Sequence, residues 1–148
     1  MLRTSPLEPI PTHVVTGFLG AGKTTLLNRW LREPRGERLA VVVNEFGDLG
    51  IDGGLIVAAD EEIVELANGC VCCTVRSDLV DALHGLLDRR RRRLRATPID
   101  RLAIETSGLA SPGPIVQTLV LEERLAQELD PRGVVTLAHA KHILRQAR

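Results

Sequence analysis

Aromatic residues are almost missing from this chain: Phe18, Trp30 and Phe46 are the only large rings in 148 residues, and tyrosine does not occur. With so few stacking platforms and 19 basic residues balanced by 19 acidic ones, neither base stacking nor a long-range field favours a nucleic-acid partner. No apolar run approaches the roughly 20 residues of a membrane span, and Pro6, Pro9 and Pro11 stand where a secretory leader would be apolar. A cytoplasmic protein without a membrane partner is expected. Cysteine is confined to Cys70, Cys72 and Cys73, an odd, crowded set that argues against a disulfide framework and suits a reducing compartment. Lysine is equally scarce, since only Lys23 and Lys141 stand among the 19 basic residues.

What is present is aliphatic and alternates between two periods. Residues 1–11 read as a flexible proline-containing lead-in, and residues 12–148 as one domain, long enough to bury a sizeable core. A strand is expected over about 12–16, followed by a helix from Lys23 to Arg32 that Pro34 and Gly36 stop. Leu39 to Val43 is a continuous β-branched run, as in a strand buried on both faces. A long loop, Asn44 to Gly54, then carries Glu45, Asp48 and Asp52. A short strand at Ile63 to Leu66 and an Asn68-Gly69 turn precede a helix capped by Ser77 or Asp78 and running to about Leu94. Arg89 to Arg93 lie near its C-terminal end, where the helix dipole favours cations, so a solvated end is preferred over a nucleic-acid patch. Ile99 to Ile104 reads as a strand ending at Glu105, residues 112–129 as largely helical with a break, and Val134 to Ala138 as the last strand. This order predicts an α/β fold, a mostly parallel sheet with helices on both faces, with ligands at the carboxyl ends of the strands.

One motif carries chemistry. Gly17 to Thr24 reads G-F-L-G-A-G-K-T between an apolar strand and a helix, the context that a phosphate-binding P-loop requires. Gly17, Gly20, Ala21 and Gly22 would turn backbone N–H groups around a polyphosphate. Lys23 would reach the outer phosphates, and Thr24, followed by Thr25, would offer a hydroxyl to Mg²⁺ at the helix N-terminus. A lysine at the one position suited to a compact ammonium, in a chain that otherwise uses arginine, supports a nucleoside-triphosphate site.

Two further features meet that loop. Glu105, at the end of an apolar strand, stands where a nucleotide hydrolase holds Mg²⁺, directly or through water, or orients the attacking water; the alternative is a capping or surface carboxylate. Gly108 would permit close backbone approach to a γ-phosphate. The C-V-C-C cluster suits a thiophilic metal better than a disulfide, because adjacent cysteines pair poorly, with redox chemistry or inert thiols as alternatives. Glu45, His84, His139 and His142 are candidate extra ligands, although a lone histidine is more often a packing or surface residue.

Four blocks in order, G-F-L-G-A-G-K-T-T at 17–25, N-E-F-G at 44–47 with G-I-D at 50–52, E-L-A-N-G-C-V-C-C-T at 65–74 and E-T-S-G-L-A-S-P at 105–112, resemble the CobW-like metallochaperone GTPases. The resemblance implies a P-loop NTPase fold and a Mg²⁺-dependent GTPase that carries Zn²⁺ or Co²⁺ to a client metalloprotein, a metal-insertion complex or cobalamin synthesis. It places Lys23, Thr24 and the loop backbone on phosphates and Mg²⁺ and Glu105 in the acidic E-x-x-G site. Glu45 and Asp52 fall in a switch segment, and Cys70, Cys72 and Cys73 are the cargo ligands. Two departures accompany it: Ala138-His139-Ala140 replaces the family's V-D-A, and neither lysine lies in an N-K-x-D guanine-reading motif. The domain is therefore expected to be shortened at its C-terminus, with an open sheet edge that invites a partner chain or homo-oligomer. A nucleotide- or metal-binding module without turnover is the rival reading. A P-loop small-molecule kinase is a third, but it has no use for the three thiols.

Overall fold

The computed structural model describes residues 8–32, 37–44, 63–65, 74–92, 99–106, 108 and 111–146. Its elements follow the order β1 (Ile10–Gly17), α1 (Lys23–Arg32), β2 (Leu39–Asn44), β3 (Ile63–Glu65), α2 (Thr74–Arg92), β4 (Arg101–Thr106), α3 (Gly113–Leu121), α4 (Glu123–Glu128), β5 (Leu129–Leu137) and α5 (Ile143–Gln146). The strands form one sheet in the order β3-β2-β4-β1-β5, and all four pairings are parallel. Glu45, Asp48, Asp52, Cys70, Cys72, Cys73 and the Asn68-Gly69 turn lie outside the described residues.

Strand alternation sorts the core into two layers. Ile10, Val14, Ala40, Val42, Leu102 and Ile104 face α2, α3 and α4, meeting Leu79, Leu83, Leu86, Leu87, Ile115, Leu119 and Leu125. Val15, Val41, Val43 and Ala103 face the other way, where Leu27 and Leu31 of α1 cover them with Trp30 and Leu137 at the margin. Because the central strands are covered on both sides, Leu39–Val43 of β2 and Leu102–Ile104 of β4 are unbroken apolar runs rather than alternating ones. At about 25 cal/mol per Å² of apolar surface, this two-sided burial is the main force holding the P-loop strand between its neighbours.

Three sequence expectations shift. The last strand starts at Leu129, not Val134, and so includes Pro131 and Gly133. Among the described residues β5 pairs only with β1 and is an edge strand, where a missing N–H is tolerated. The register steps from Thr12 opposite Pro131 to His13 opposite Gly133, leaving Arg132 as the extra residue, and Gly133 takes φ 153° there. Helix α2 is already running at Thr74, so Ser77 and Asp78 are helical residues and not its cap. β1 opens at Ile10, two residues before the expected start.

The break expected within 112–129 falls on Glu122, whose extended backbone (φ −78°, ψ 120°) separates α3 from α4. Its N–H closes α3 on the Thr118 carbonyl at 3.0 Å, and its carboxylate accepts the Leu125 N–H at 2.6 Å, capping α4. The arginine run is more than a solvated end. Arg90 donates to the Glu8 carbonyl at 2.9 Å, and Arg91 pairs with Glu128, which Arg124 also binds.

Candidate functional site

Parallel pairing brings the carboxyl ends of the strands to one edge. Val43 and Val15 both stand opposite Glu105, and Glu65 stands opposite Val43. The P-loop leaves β1 at Gly17 and enters α1 at Lys23. The Ala21 N–H donates to the Phe18 carbonyl at 3.0 Å, closing the loop, and the Leu26 N–H donates to the Gly22 carbonyl at 2.9 Å, opening the helix. Gly20 and Gly22 have φ of 76° and 100°, values that residues with a Cβ rarely adopt. Gly17, with φ 142°, is held for a second reason as well: a Cβ there would collide with the Leu137 carbonyl oxygen of β5. The Leu137 side chain also lies 4.0 Å from where a Cβ on Gly22 would be, so the edge strand presses on the loop at Gly17 and borders it at Gly22.

Lys23 is 7% exposed, and its Nζ donates to the Gly17 carbonyl at 2.8 Å and to the Phe18 carbonyl at 3.4 Å. A buried ammonium satisfied by loop carbonyls is a cation held inside the turn, where an incoming phosphate would meet it. The first turn of α1 has no acidic residue, while Arg29 and Arg32 occupy the last turn. The helix macrodipole is thus left uncompensated at the end that faces the loop and complemented at the other. Thr24 and Thr25 are exposed at that N-terminus, and Ala21 is half-buried.

Glu105 is buried at the end of β4, on the face shared with Ala103 and α1. Acid and loop therefore lie at the edge where the strand ends gather, with the acid on the face that α1 covers. Gly108 has a neighbour that the sequence did not suggest. A Cβ there would lie 2.6 Å from Leu19 N and 3.1 Å from Phe18 C, so Gly108 rests on the P-loop backbone itself.

Sequence reading also missed a tie between two strands. Thr106 Oγ1 donates to Thr16 Oγ1 at 2.9 Å in the interior. The available signal was a threonine beside each motif, at the end of an otherwise apolar strand face.

The histidines are dispersed. His139 and His142 approach with ring centroids 4.6 Å apart beyond β5, and His139 Nδ1 accepts the Lys141 N–H at 3.2 Å. His84 lies 3.4 Å from Glu122, on the α2–α4 side. Among the described residues no group of three or more His, Cys, Asp or Glu is placed to hold a metal, and no helix is long and apolar enough to cross a membrane.

Comparison with known proteins fits this geometry. The family model for the CobW/HypB/UreG nucleotide-binding domain matches residues 11–148. The zinc chaperone YjiA of Escherichia coli is 45% identical over 136 residues, covering 92% of this chain and 42% of that protein. Zinc-regulated GTPase metalloprotein activator 1 of Schizosaccharomyces pombe is 41% identical over 145 residues, covering 94% and 34%. The crystal structure of Zn(II)-bound YjiA GTPase superposes with a TM-score of 0.69 at 36% identity, covering 95% of this chain and 43% of that one. The chain thus spans well under half the length of the relatives it matches. With a P-loop braced between β1 and β5, Glu105 on the adjoining strand and a family match across nearly the whole sequence, this chain belongs to the CobW/HypB/UreG nucleotide-binding domain family.

Proposed function

We infer that this domain binds Mg²⁺·GTP, hydrolyses it, and couples nucleotide state to a zinc or cobalt ion held by Cys70, Cys72 and Cys73. The observation that carries the nucleotide half is Lys23, whose buried ammonium is folded onto the Gly17 and Phe18 carbonyls at the positive end of α1. Lys23 and the N–H groups of the loop hold the phosphates. Thr24 and Glu105 hold Mg²⁺, with Glu105 acting directly or through water, and the metal supplies charge neutralisation at the phosphates. Guanine is assigned from relatives named as GTPases.

The metal half rests on donor chemistry. Three thiolates within four residues form a soft set suited to Zn²⁺ or Co²⁺, and Glu45 is the candidate fourth ligand. The cysteines follow β3, whose Glu65 is in register with Val43 and through it with Glu105. Relatives named as zinc chaperones and as a metalloprotein activator favour delivery to a client metalloprotein in the cytoplasm. Nucleotide-dependent movement of residues 44–54 is the device that changes the affinity of the cluster.

Titrating the reduced chain with Co²⁺, with and without a non-hydrolysable GTP analogue, tests the coupling through thiolate-to-metal charge transfer. Affinity should differ between nucleotide states, and Lys23→Ala should abolish the difference while sparing metal binding to the nucleotide-free protein. Equal affinity with GTP analogue, GDP and no nucleotide would refute the coupling.

A further inference from the structure

Between β1 and β4 the sheet stops pairing earlier than it does on either flank. The β1–β4 ladder ends at Val15 opposite Glu105, whereas Thr16 and Gly17 continue to pair with β5, and Thr106 still pairs with Asn44 of β2. The β1–β4 ladder thus ends first at the edge where the P-loop and Glu105 emerge, between the two strands whose following helices, α1 and α3, cover opposite faces of the sheet, which is the switch point where open α/β sheets bind ligands. The Thr106–Thr16 hydroxyl bond, at 2.9 Å, is the next tie beyond the last ladder pair.

Both threonines are buried, at 8% and 0% exposure. They continue the Ile10–Val14 and Leu102–Ile104 rows toward α2–α4, on the face opposite Glu105 and the α1 layer. That placement keeps them off any ligand on the α1 side. In an apolar layer, valine would offer the same shape without two hydroxyls to desolvate, so packing alone does not account for the pair.

We propose that Thr16 and Thr106 are positioning residues, a strap across the floor of the crevice that sets the separation between the phosphate cradle and the Glu105 carboxylate. One is joined by a single peptide bond to Gly17 and the other to Glu105, so a change in their separation is transmitted to both functional groups. The proposal rests on the GTPase reading above and goes beyond it in assigning hydrolytic geometry to residues that touch neither nucleotide nor metal.

A double-mutant cycle on the full chain tests it, with thermal melting and steady-state GTP hydrolysis read for each protein. Thr106→Val strands the Thr16 hydroxyl and should lower both the melting temperature and kcat. Thr16→Val/Thr106→Val removes both hydroxyls of the pair and should recover part of the melting temperature lost in the single variant, yet kcat should stay about tenfold or more below wild type with KM within about twofold. Thr106→Ser keeps a hydroxyl and should restore kcat. A double variant with wild-type kcat, or one in which kcat returns with the melting temperature, would overturn the strap while leaving the GTPase reading intact. Wild-type protein that neither binds nor hydrolyses GTP would overturn both.

Discussion

Gly108→Ala is the sharpest test of how the segment after β4 bears on the P-loop. The new methyl would stand 2.6 Å from Leu19 N, 3.1 Å from Phe18 C and 3.2 Å from Leu19 Cα. Comfortable contact between such atoms begins near 3.5 Å, so one of the two backbones must retreat by roughly 0.9 Å. Neither obstacle is a flexible side-chain end. The loop is pinned by Leu137 against Gly17 and by its own Ala21-to-Phe18 hydrogen bond. Overpacking of this kind costs about 1–3 kcal/mol, and a domain of this size loses on the order of 2–4 °C of melting temperature per kcal/mol. Displacing the phosphate cradle by nearly 1 Å lowers kcat/KM by about 10²-fold. Thermal melting reads the first consequence, and steady-state GTP hydrolysis with titration of a fluorescent GTP analogue reads the second. A melting temperature within about 1 °C of wild type together with kcat/KM and nucleotide affinity within twofold would refute the reasoning, because the overlap would then have been relieved at no cost. A lower melting temperature with unchanged affinity would place the strain in the Gly108 segment and not in the loop.

Other substitutions probe single contacts. Glu105→Gln keeps the shape and removes the charge, so GTP hydrolysis should fall by roughly 10²-fold or more while nucleotide binding persists; an unchanged kcat in a phosphate-release assay would remove Glu105 from the reaction. Glu122→Ala deletes the α4 cap and should cost about 1 kcal/mol by urea denaturation. The Leu125 N–H, with His84 beside it, holds the Glu122 carboxyl below the usual carboxylate range; a depressed folded value means that the stabilisation is present above the unfolded pKa and lost as pH falls through the folded one, so the mutant and wild-type curves should converge as pH falls below the usual carboxylate range. Burial, reinforced by Arg101 and Arg132, lowers the His13 pKa below its ordinary 6.5. As pH drops through 6.5 the unfolded chain takes a proton that the folded one refuses, so stability should decline there, and His13→Gln should flatten that slope below about pH 6.5.

Much of this fold was legible locally. Helix α1 runs over Lys23–Arg32 as the periodicity and the Pro34-Gly36 stop predict, and β2 begins at Leu39 because an unbroken β-branched run suits a strand covered on both faces. The misses have physical causes. Ser77 and Asp78 look like caps, but a helix already under way passes through them at a cost of a fraction of a kcal/mol each. Pro131 and Gly133 look like a loop, yet an edge strand with a bulge accepts both. At the candidate site, Gly17 to Thr24 and Glu105 were readable because motif and strand end are each contiguous. Leu137 and the threonine pair were not, since nothing near them in sequence refers to their partners.

The sequence by itself determined that a phosphate-binding turn joins a buried strand to a helix, that strands and helices alternate, and which family the chain resembles. Glycine freedom, apolar period and cap chemistry act over a few residues, so they can be read from a few residues. Only the tertiary structure decided that β5 braces the loop, that Gly108 lies on it, and that Thr16 and Thr106 tie the strands where their ladder ends. Those contacts depend on the order β4-β1-β5, which is set by how two apolar layers close over the sheet. That closure is a property of the whole chain, because each strand's neighbours are chosen by surface that distant helices bury.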